Sequence, residues 1–553
     1  MNRSESLARL RLDAFDVLVV GGGIYGAAIL REATAQGLRA ALVEQADFAG
    51  ATSANSLKII HGGLRYLQQA DLPRVFESIR ERSLLLRNAP HLVRTFPCVL
   101  PTQRAFMKSR FVMFCGLLIN DILSFNRNFG LRKDRRIPCG RTLSRARLLS
   151  LLPQLEDSPA TGAAAWTDAF VHDSERLPFS MILDAAASDA VAVNYVRAES
   201  FLYDEENSRV SGIVARDRIS GDSFPVHASL VINAAGAWSD ALLASLPRPL
   251  SLPETHWALA VNLILRDWPV TTVGQGLAPA GSHRQFFFAP WRGRVVAGTY
   301  YRDFSGNPSD LAVTDDDVDA LLADINACLP SVRVSRADVL AIHAGVLPCS
   351  RPPVPGREPA LLHHSRIVDH ERTDRLPGLV SVCSIKYTTA RGIAEKTVRL
   401  ALRRLRRPWK GPLTRTLPLP GAGAESDDAL AALLRADFPA VSAEDALRIV
   451  AIHGNRLPDF LAFARAESPS DLLRAEVLYS LQNEMPQSLG DLLFRRIALA
   501  AAGAPDPDLV RRAAAVMASE RHWSAERLHA EISAVLSART LFMPAPPPLK
   551  DNP

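Results

Sequence analysis

The chain has little cysteine: six residues in 553, Cys98, Cys115, Cys139, Cys328, Cys349 and Cys383, scattered without a CxxC pair. That pattern excludes a disulfide scaffold, a thiolate metal site and a dithiol redox motif, and it suits a reducing cytosol. No metal site is expected. A secretory signal is also missing, because the opening MNRSESLARLRLDAFD is charged and has no apolar core. The most apolar segment, Phe111 to Leu123, is too short to span a bilayer and contains Asp121. Basic residues do not interleave with aromatics, so nucleic acid is not an expected partner. There is no internal repeat.

What remains is an ordinary globular composition, 48% hydrophobic and 22% charged, over a length that calls for two or three domains. The net charge of +6 is spread along the chain and favours an anionic substrate or an acidic membrane surface. Arg104, Lys108 and Arg110 precede the Phe111–Leu123 segment. It therefore reads either as an interfacial helix or as a partly buried amphipathic one.

The most informative stretch is DVLVVGGGIYGAAILREATAQGLRAALVEQ. Val17 to Val20 form an aliphatic run suited to a strand buried on both faces. Gly21-Gly22-Gly23-Ile24-Tyr25-Gly26 follows, then a helical pattern, then a second short strand, Ala40 to Val43, ending at Glu44. This is the order of a dinucleotide-binding unit. Gly21 permits the tight turn, Gly23 lets the backbone approach a pyrophosphate, and Gly26 lets helix and sheet pack closely. The helix N-terminus faces the phosphates, and Glu44 can accept hydrogen bonds from ribose hydroxyls.

The polar run Ala51-Thr52-Ser53, Ser56 and Lys58, followed by His61-Gly62-Gly63-Leu64-Arg65-Tyr66-Leu67, resembles the FAD-dependent glycerol-3-phosphate dehydrogenase family. The resemblance implies FAD as the cofactor, held by Gly21, Gly23, Gly26, Glu44, Thr52, Ser53, Ser56 and Lys58. It also implies Gly236 in the turn after a strand at Leu230–Ala234, and Thr388 before a helix starting near Thr389. It places Arg65, Tyr66 and Lys386 in the substrate pocket and makes His61 and His363 further candidates, His61 either a flavin-contacting structural histidine or a base.

The implied fold is an α/β FAD-binding Rossmann-type domain with an antiparallel-sheet substrate domain and a C-terminal all-helical domain. The first is assembled from residues 14–90, 190–245 and 375–405, with the strand Leu379–Val382 in its last piece. The second comprises 91–189 and 246–374, with β-prone runs at Gln285–Ala289 and Arg294–Tyr300. After the LPLPGAGAE linker, 425–540 reads as helical, with helices expected over Ala475–Leu481 and Leu489–Ala501. It carries a D-x-L-x-R-R element at Asp491, Leu493, Arg495 and Arg496. Residues 541–553 read as a disordered tail.

Only one GxGxxG is present, so the substrate itself is expected to be the reductant. The expected reaction moves a hydride from the CH–OH group of a polyol, polyol phosphate or related hydroxy compound to flavin N5, with a quinone or O2 as the electron acceptor. An amine or amino-acid oxidase, or a decayed FAD-binding protein, are the alternatives. The resemblance allows a homodimer and contact with the cytoplasmic face of a membrane. The chain departs from the family at the substrate: Leu347 stands where the family has a phosphate-binding arginine, Asn262 where it has a histidine, and Tyr301 where it has an aspartate. Ser384-Ile385 replaces a Gly-Gly. Leucine cannot replace an arginine's bidentate hold on phosphate. Poor use of glycerol 3-phosphate is therefore expected unless Arg351, Arg357 or Arg366 rebuilds an anion site.

Overall fold

Ala14–Val20 pairs in parallel with Ala40–Val43 on one side and with Ser223–Asn233 on the other, in register Val17 to Ala40 and Val17 to Leu230. This arrangement comes from a computed structural model that describes residues 1–67, 70–206, 208–252, 255–266, 268–269, 272–279, 284–352, 354 and 357–538, the Arg65 side chain excepted. The aliphatic run is buried on both faces. Val17 and Val19 pack with Ala27, Ala28 and Leu30 of the helix Ile24–Ala35, while Leu18 and Val20 pack with Ala41, Val43 and Val231. Continuous Val and Leu without polar alternation is what a parallel strand covered on both sides requires.

The sheet runs Arg366–Asp369, Leu379–Cys383, Ser223–Asn233, Ala14–Val20, Ala40–Val43, Val191–Val193, with an antiparallel extension through Val210–Asp217 and Val196–Tyr203. Leu230–Ala234 and Leu379–Val382 were both expected as strands, and both belong to it. A second sheet runs Val339–Cys349, His256–Leu265, Arg294–Phe304, Phe286–Trp291, Gly274–Leu277, Val93–Thr102, Gly162–Val171, Ile59–Ile60. It is antiparallel except where Gly274–Leu277 meets Val93–Thr102. Ile59–Ile60 lies in the loop after Glu44, so that loop passes from one sheet to the other and lines the space between them.

Beyond the linker the chain is helical: Asp427–Asp437, Ala443–His453, Leu457–Glu467, Leu472–Asn483, Pro507–Arg521 and Ala525–Ser537. The helix expected over Leu489–Ala501 is shorter and wider. It is a π-helical turn at Asp491–Arg496, and Ala498 leaves it with φ of 53°. The cause lies in its polar side chains, which turn inward. Arg495 and Arg496 both donate to the Asp47 carboxylate, at 2.6 Å and 2.7 Å, and Arg495 also reaches Asp491 at 2.6 Å. Residues 541–553 lie outside the described residues.

Asp47 has no exposed surface. Burial alone would raise its pKa, but the Arg496 and Arg495 guanidiniums outweigh that and hold the carboxyl well below the usual range. A depressed carboxyl contributes stability that is present above its unfolded pKa, near 3.9, and is lost as pH falls through the folded value. Arg496→Met should therefore cost about 3 kcal/mol at pH 7, read as a lower urea midpoint, because it strips a charge from a buried network. Because the variant's Asp47 is no longer held so far below its unfolded pKa, its stability should fall less on acidification than that of wild type. A loss under about 1 kcal/mol would show that the network is dispensable.

Candidate functional site

At Gly21 the chain turns with φ of +105°, and a Cβ there would lie 2.6 Å from the Ala234 carbonyl oxygen. At Gly26 a Cβ would lie 1.8 Å from the Gly21 carbonyl oxygen. The turn and the close helix contact are thus sterically reserved for glycine. Gly23 and Gly236 open onto a cavity of about 1120 Å³, which begins at the Gly21 turn and runs between the two sheets. That volume exceeds the upper end for drug-sized ligands, about 1,000 Å³, and fits an extended dinucleotide with room beside it.

Side chains from the loop after Glu44 complete the cradle. The Ile24 N–H, at the start of the helix, donates to Ser53 Oγ at 3.0 Å. Thr52 Oγ1 accepts from the Val346 N–H at 3.1 Å, fixing the loop to the second sheet. Glu44 lines the cavity and accepts from the Gly22 N–H at 2.6 Å and the Ala46 N–H at 2.9 Å. Burial raises its pKa, and these two bonds oppose the rise. Each carboxylate oxygen keeps a further lone pair for a ribose hydroxyl. Thr388 lines the cavity just before the helix Ala390–Arg404. The residues present therefore fit FAD.

The other end of the cavity is cationic. Lys386 Nζ lies 3.8 Å from the centre of the Tyr66 ring, and the Arg74 guanidinium carbon lies 3.9 Å from it. Burial, then repulsion from Arg74, brings the Lys386 pKa down to about 8. His61 Nε2 is 3.5 Å from the Tyr66 hydroxyl. Burial pushes its pKa down to about 4; Asp168 opposes this, and Lys386, Arg82 and Arg74 add to it. His363 is exposed, with Nδ1 3.4 Å from Arg74, and both burial and Arg74 lower its pKa. Tyr25 ties this corner to the cradle, its hydroxyl donating to the Lys386 carbonyl at 2.5 Å and accepting from Ser384 at 2.6 Å.

A family model described as FAD dependent oxidoreductase matches residues 16–400, and one described as the C-terminal domain of alpha-glycerophosphate oxidase matches residues 412–528. The glycerol-3-phosphate dehydrogenase of Synechocystis is 30% identical over 504 residues, covering 88% of this chain and 89% of that protein. The chain belongs to the FAD-dependent glycerol-3-phosphate dehydrogenase family. The aerobic glycerol-3-phosphate dehydrogenase of Staphylococcus aureus is 28% identical over 88% of this chain and 87% of its own. The solved glycerol-3-phosphate dehydrogenase of Bacillus halodurans, complexed with FAD, shares the fold with a TM-score of 0.76. It is 24% identical and covers 98% of this chain and 99% of its own.

Against the family's pattern, Gly21, Gly23, Glu44, Thr52, Ser53, Ser56, Gly236 and Thr388 line the cavity, as do His61, Tyr66, His363 and Lys386. Gly26 packs behind the turn. Lys58 is the misplaced assignment. Its ammonium is buried away from the cavity, donating to Ser174 Oγ at 3.0 Å, 3.6 Å from Glu175 and 4.4 Å from the Trp291 ring centre. A positive φ of 63° at Lys58 turns it inward. The Arg65 side chain lies outside the described residues. Arg351 and Arg357 are exposed, Arg366 donates to Thr255 at 3.3 Å, and none of the three lines the cavity. Asn262 donates to the Asn55 carbonyl at 3.2 Å and accepts from Thr299 at 2.8 Å, so its amide stitches the cofactor loop to the sheet above. Arg74 escaped the sequence reading. Its only signal was a cation a few residues after the HGGLRYL run.

Gly23→Val should give folded protein with flavin content below about a tenth of wild type, since the branched side chain enters space the pyrophosphate needs. Visible flavin absorbance beside an unchanged circular dichroism spectrum checks this. Full flavin retention would remove Gly23 from the cofactor site.

Proposed function

We propose that this enzyme oxidises the secondary alcohol of a small polyol phosphate, with glycerol 3-phosphate the leading substrate, and passes the electrons to a quinone held in a membrane. The observation that carries the reading is the single cavity leading from a dinucleotide cradle to the cationic corner of Arg74, Lys386 and Tyr66. The names of the relatives point to the same substrate.

FAD in this cavity supplies a two-electron acceptor for the carbon-bound hydrogen. The chain's part is binding, charge and proton handling. Lys386 holds the substrate's negative charge beside Tyr66. His61 is uncharged at neutral pH, so one ring nitrogen can accept the substrate hydroxyl proton. A bound anion offsets the repulsion from Lys386 and Arg74, raising the His61 pKa when the proton must be taken. The Tyr66 hydroxyl sets the orientation of that ring. An amine substrate, cationic at neutral pH, is poorly matched to the same corner.

The membrane reading rests on the helix Arg110–Leu123 and its flanks. Phe106, Phe111, Phe125 and Phe129 are 76%, 73%, 83% and 81% exposed, with Leu118 and Ile122 on the same stretch. Isolated exposed apolar residues are ordinary, whereas a dense run of them beside Arg104, Lys108 and Arg110 suits an anionic bilayer surface. Val112, Met113, Gly116 and Ile119 of this helix also line the cavity, so the apolar surface is continuous with the site. Among the described residues no helix is long and apolar enough to cross a membrane.

The purified protein should be yellow and bleach anaerobically with glycerol 3-phosphate. Lys386→Ala should slow that bleaching about a hundredfold while FAD stays bound. A lysine with a pKa near 8 carries its charge below that value and loses it above. Affinity for the anionic substrate should therefore fall as pH rises through about 8, and Lys386→Arg should flatten that fall. No bleaching by any polyol or polyol phosphate would sink the reading. For the membrane surface, wild-type protein should co-sediment with phosphatidylglycerol vesicles, and Phe111→Ser with Phe125→Ser should weaken this by about tenfold or more. Equal sedimentation of the double variant would place the contact elsewhere.

A further inference from the structure

Arg74 occupies an uncommon position for a surface-helix cation. It lies in the first turn of the helix Leu72–Asn88, beside the exposed Leu72 and Phe76, yet only 7% of it is accessible. Its contacts do not use it up. Nη1 is 3.5 Å from Asp71 and 3.4 Å from His363 Nδ1, and the guanidinium lies against the Tyr66 ring. Among the described residues no acceptor meets its buried Nε. A buried guanidinium with an unmet donor is costly unless something completes it.

The surroundings say what would complete it. Arg74, His363 and Lys386 line both the main cavity and a smaller adjoining one of about 150 Å³, whose walls also carry His364 and Lys396. Lys386 Nζ has Ser78 Oγ at 3.4 Å as its hydrogen-bond partner. Of the carboxylates nearby, Glu77 is held by Lys396 at 3.0 Å, and Asp71 accepts from the Arg74 N–H at 3.2 Å as helix cap. The corner thus sets a guanidinium and an ammonium against one ring, on residues that both line the cavity. A phosphate monoester, with three oxygens and close to two charges, fits that donor set better than a carboxylate.

We propose that Arg74 is the specificity-determining residue for the substrate's phosphate, which it holds together with Lys386 from the side of the helix Leu72–Asn88. In this arrangement Leu347, on the opposite sheet, is no longer a defect, and the expected weakness toward glycerol 3-phosphate is reversed. The proposal rests on the reading of the substrate as a polyol phosphate.

The test uses FAD-loaded enzyme as purified, with inorganic phosphate as the non-reacting probe, followed by calorimetry and by perturbation of the flavin spectrum. Arg74→Ala should raise the dissociation constants of phosphate and of glycerol 3-phosphate about thirtyfold or more. The reaction with glycerol, which carries no phosphate, should weaken far less than that with glycerol 3-phosphate, and Arg74→Lys should recover part of the affinity. Arg351→Ala, outside the cavity, should bind phosphate as wild type does. If Arg74→Ala does not accumulate as holoenzyme, Arg74→Gln should show the same loss. Phosphate binding by the variants within about threefold of wild type would overturn the proposal. So would equal loss toward glycerol and glycerol 3-phosphate, or wild-type enzyme that binds neither anion at millimolar concentration. Arg74-dependent phosphate binding in an enzyme that no polyol phosphate reduces would leave the anion site standing and refute the substrate reading instead.

Discussion

Asp47 lies three residues beyond Glu44, where the second strand of the dinucleotide unit gives way to the loop lining the cavity, and its carboxylate meets Arg495 and Arg496 from the far end of the chain. A carboxylate with no solvent contact has to be compensated within the protein. Here two guanidiniums do so, Asp491 balances the second positive charge, and Asn194 and Tyr195 fill remaining hydrogen-bonding capacity at 3.0 Å and 2.9 Å. The helical region is therefore electrostatically bound to the loop that presents Thr52 and Ser53. The network also accounts for the widened turn at Asp491–Arg496, which brings Arg496 to the side that Asp491 and Arg495 share, where a regular helix would turn it about 100° away from Arg495.

The parts of the site that could be read from the sequence are those fixed by local sterics. Gly21 and Gly26 announce themselves because no other residue fits, and the aliphatic strands announce themselves by their lack of polar alternation. Lys386 and Tyr66 were legible through a resemblance spanning contiguous motifs. Lys58 misled because its place in the motif said nothing of its backbone conformation, and a positive φ sends it behind the loop. Arg74 was invisible for the opposite reason. Its burial is produced by Tyr66 together with His363 and Lys386, which lie far along the chain and reach it only through the tertiary fold. The Leu489–Ala501 pattern looked helical because its apolar residues have helical spacing. What stops it is the distant Asp47, which no local window contains.

The two cations at the Tyr66 ring differ in a way that matters. Arginine stays charged at any working pH, while a lysine brought down to about 8 does not. The same burial that lowers Lys386 also strengthens every charge interaction in the corner. Arg74 sharpens this by raising the cost of the Lys386 ammonium until an anion arrives. Under the proposed function, substrate charge would offset that repulsion, and His61, uncharged mainly because it is buried, would become more basic as the added field of Lys386 and Arg74 is cancelled. On that reading, binding of an anion and readiness to accept a proton would be coupled through one local potential.

The cavity has walls of opposite character at its two sides. Arg74, Lys386 and His363 suit a hydrated anion that must shed water to enter, whereas Met113, Gly116 and Ile119 offer no polar group to such a molecule. The sequence carries one glycine-rich cradle, which leaves no second nucleotide unit for a nicotinamide dinucleotide on either side. Under the proposed quinone reading, an apolar acceptor would lie against the wall of Met113, Gly116 and Ile119, away from the cationic corner. That reading gives reductant and oxidant separate walls, each poorly suited to the other's partner.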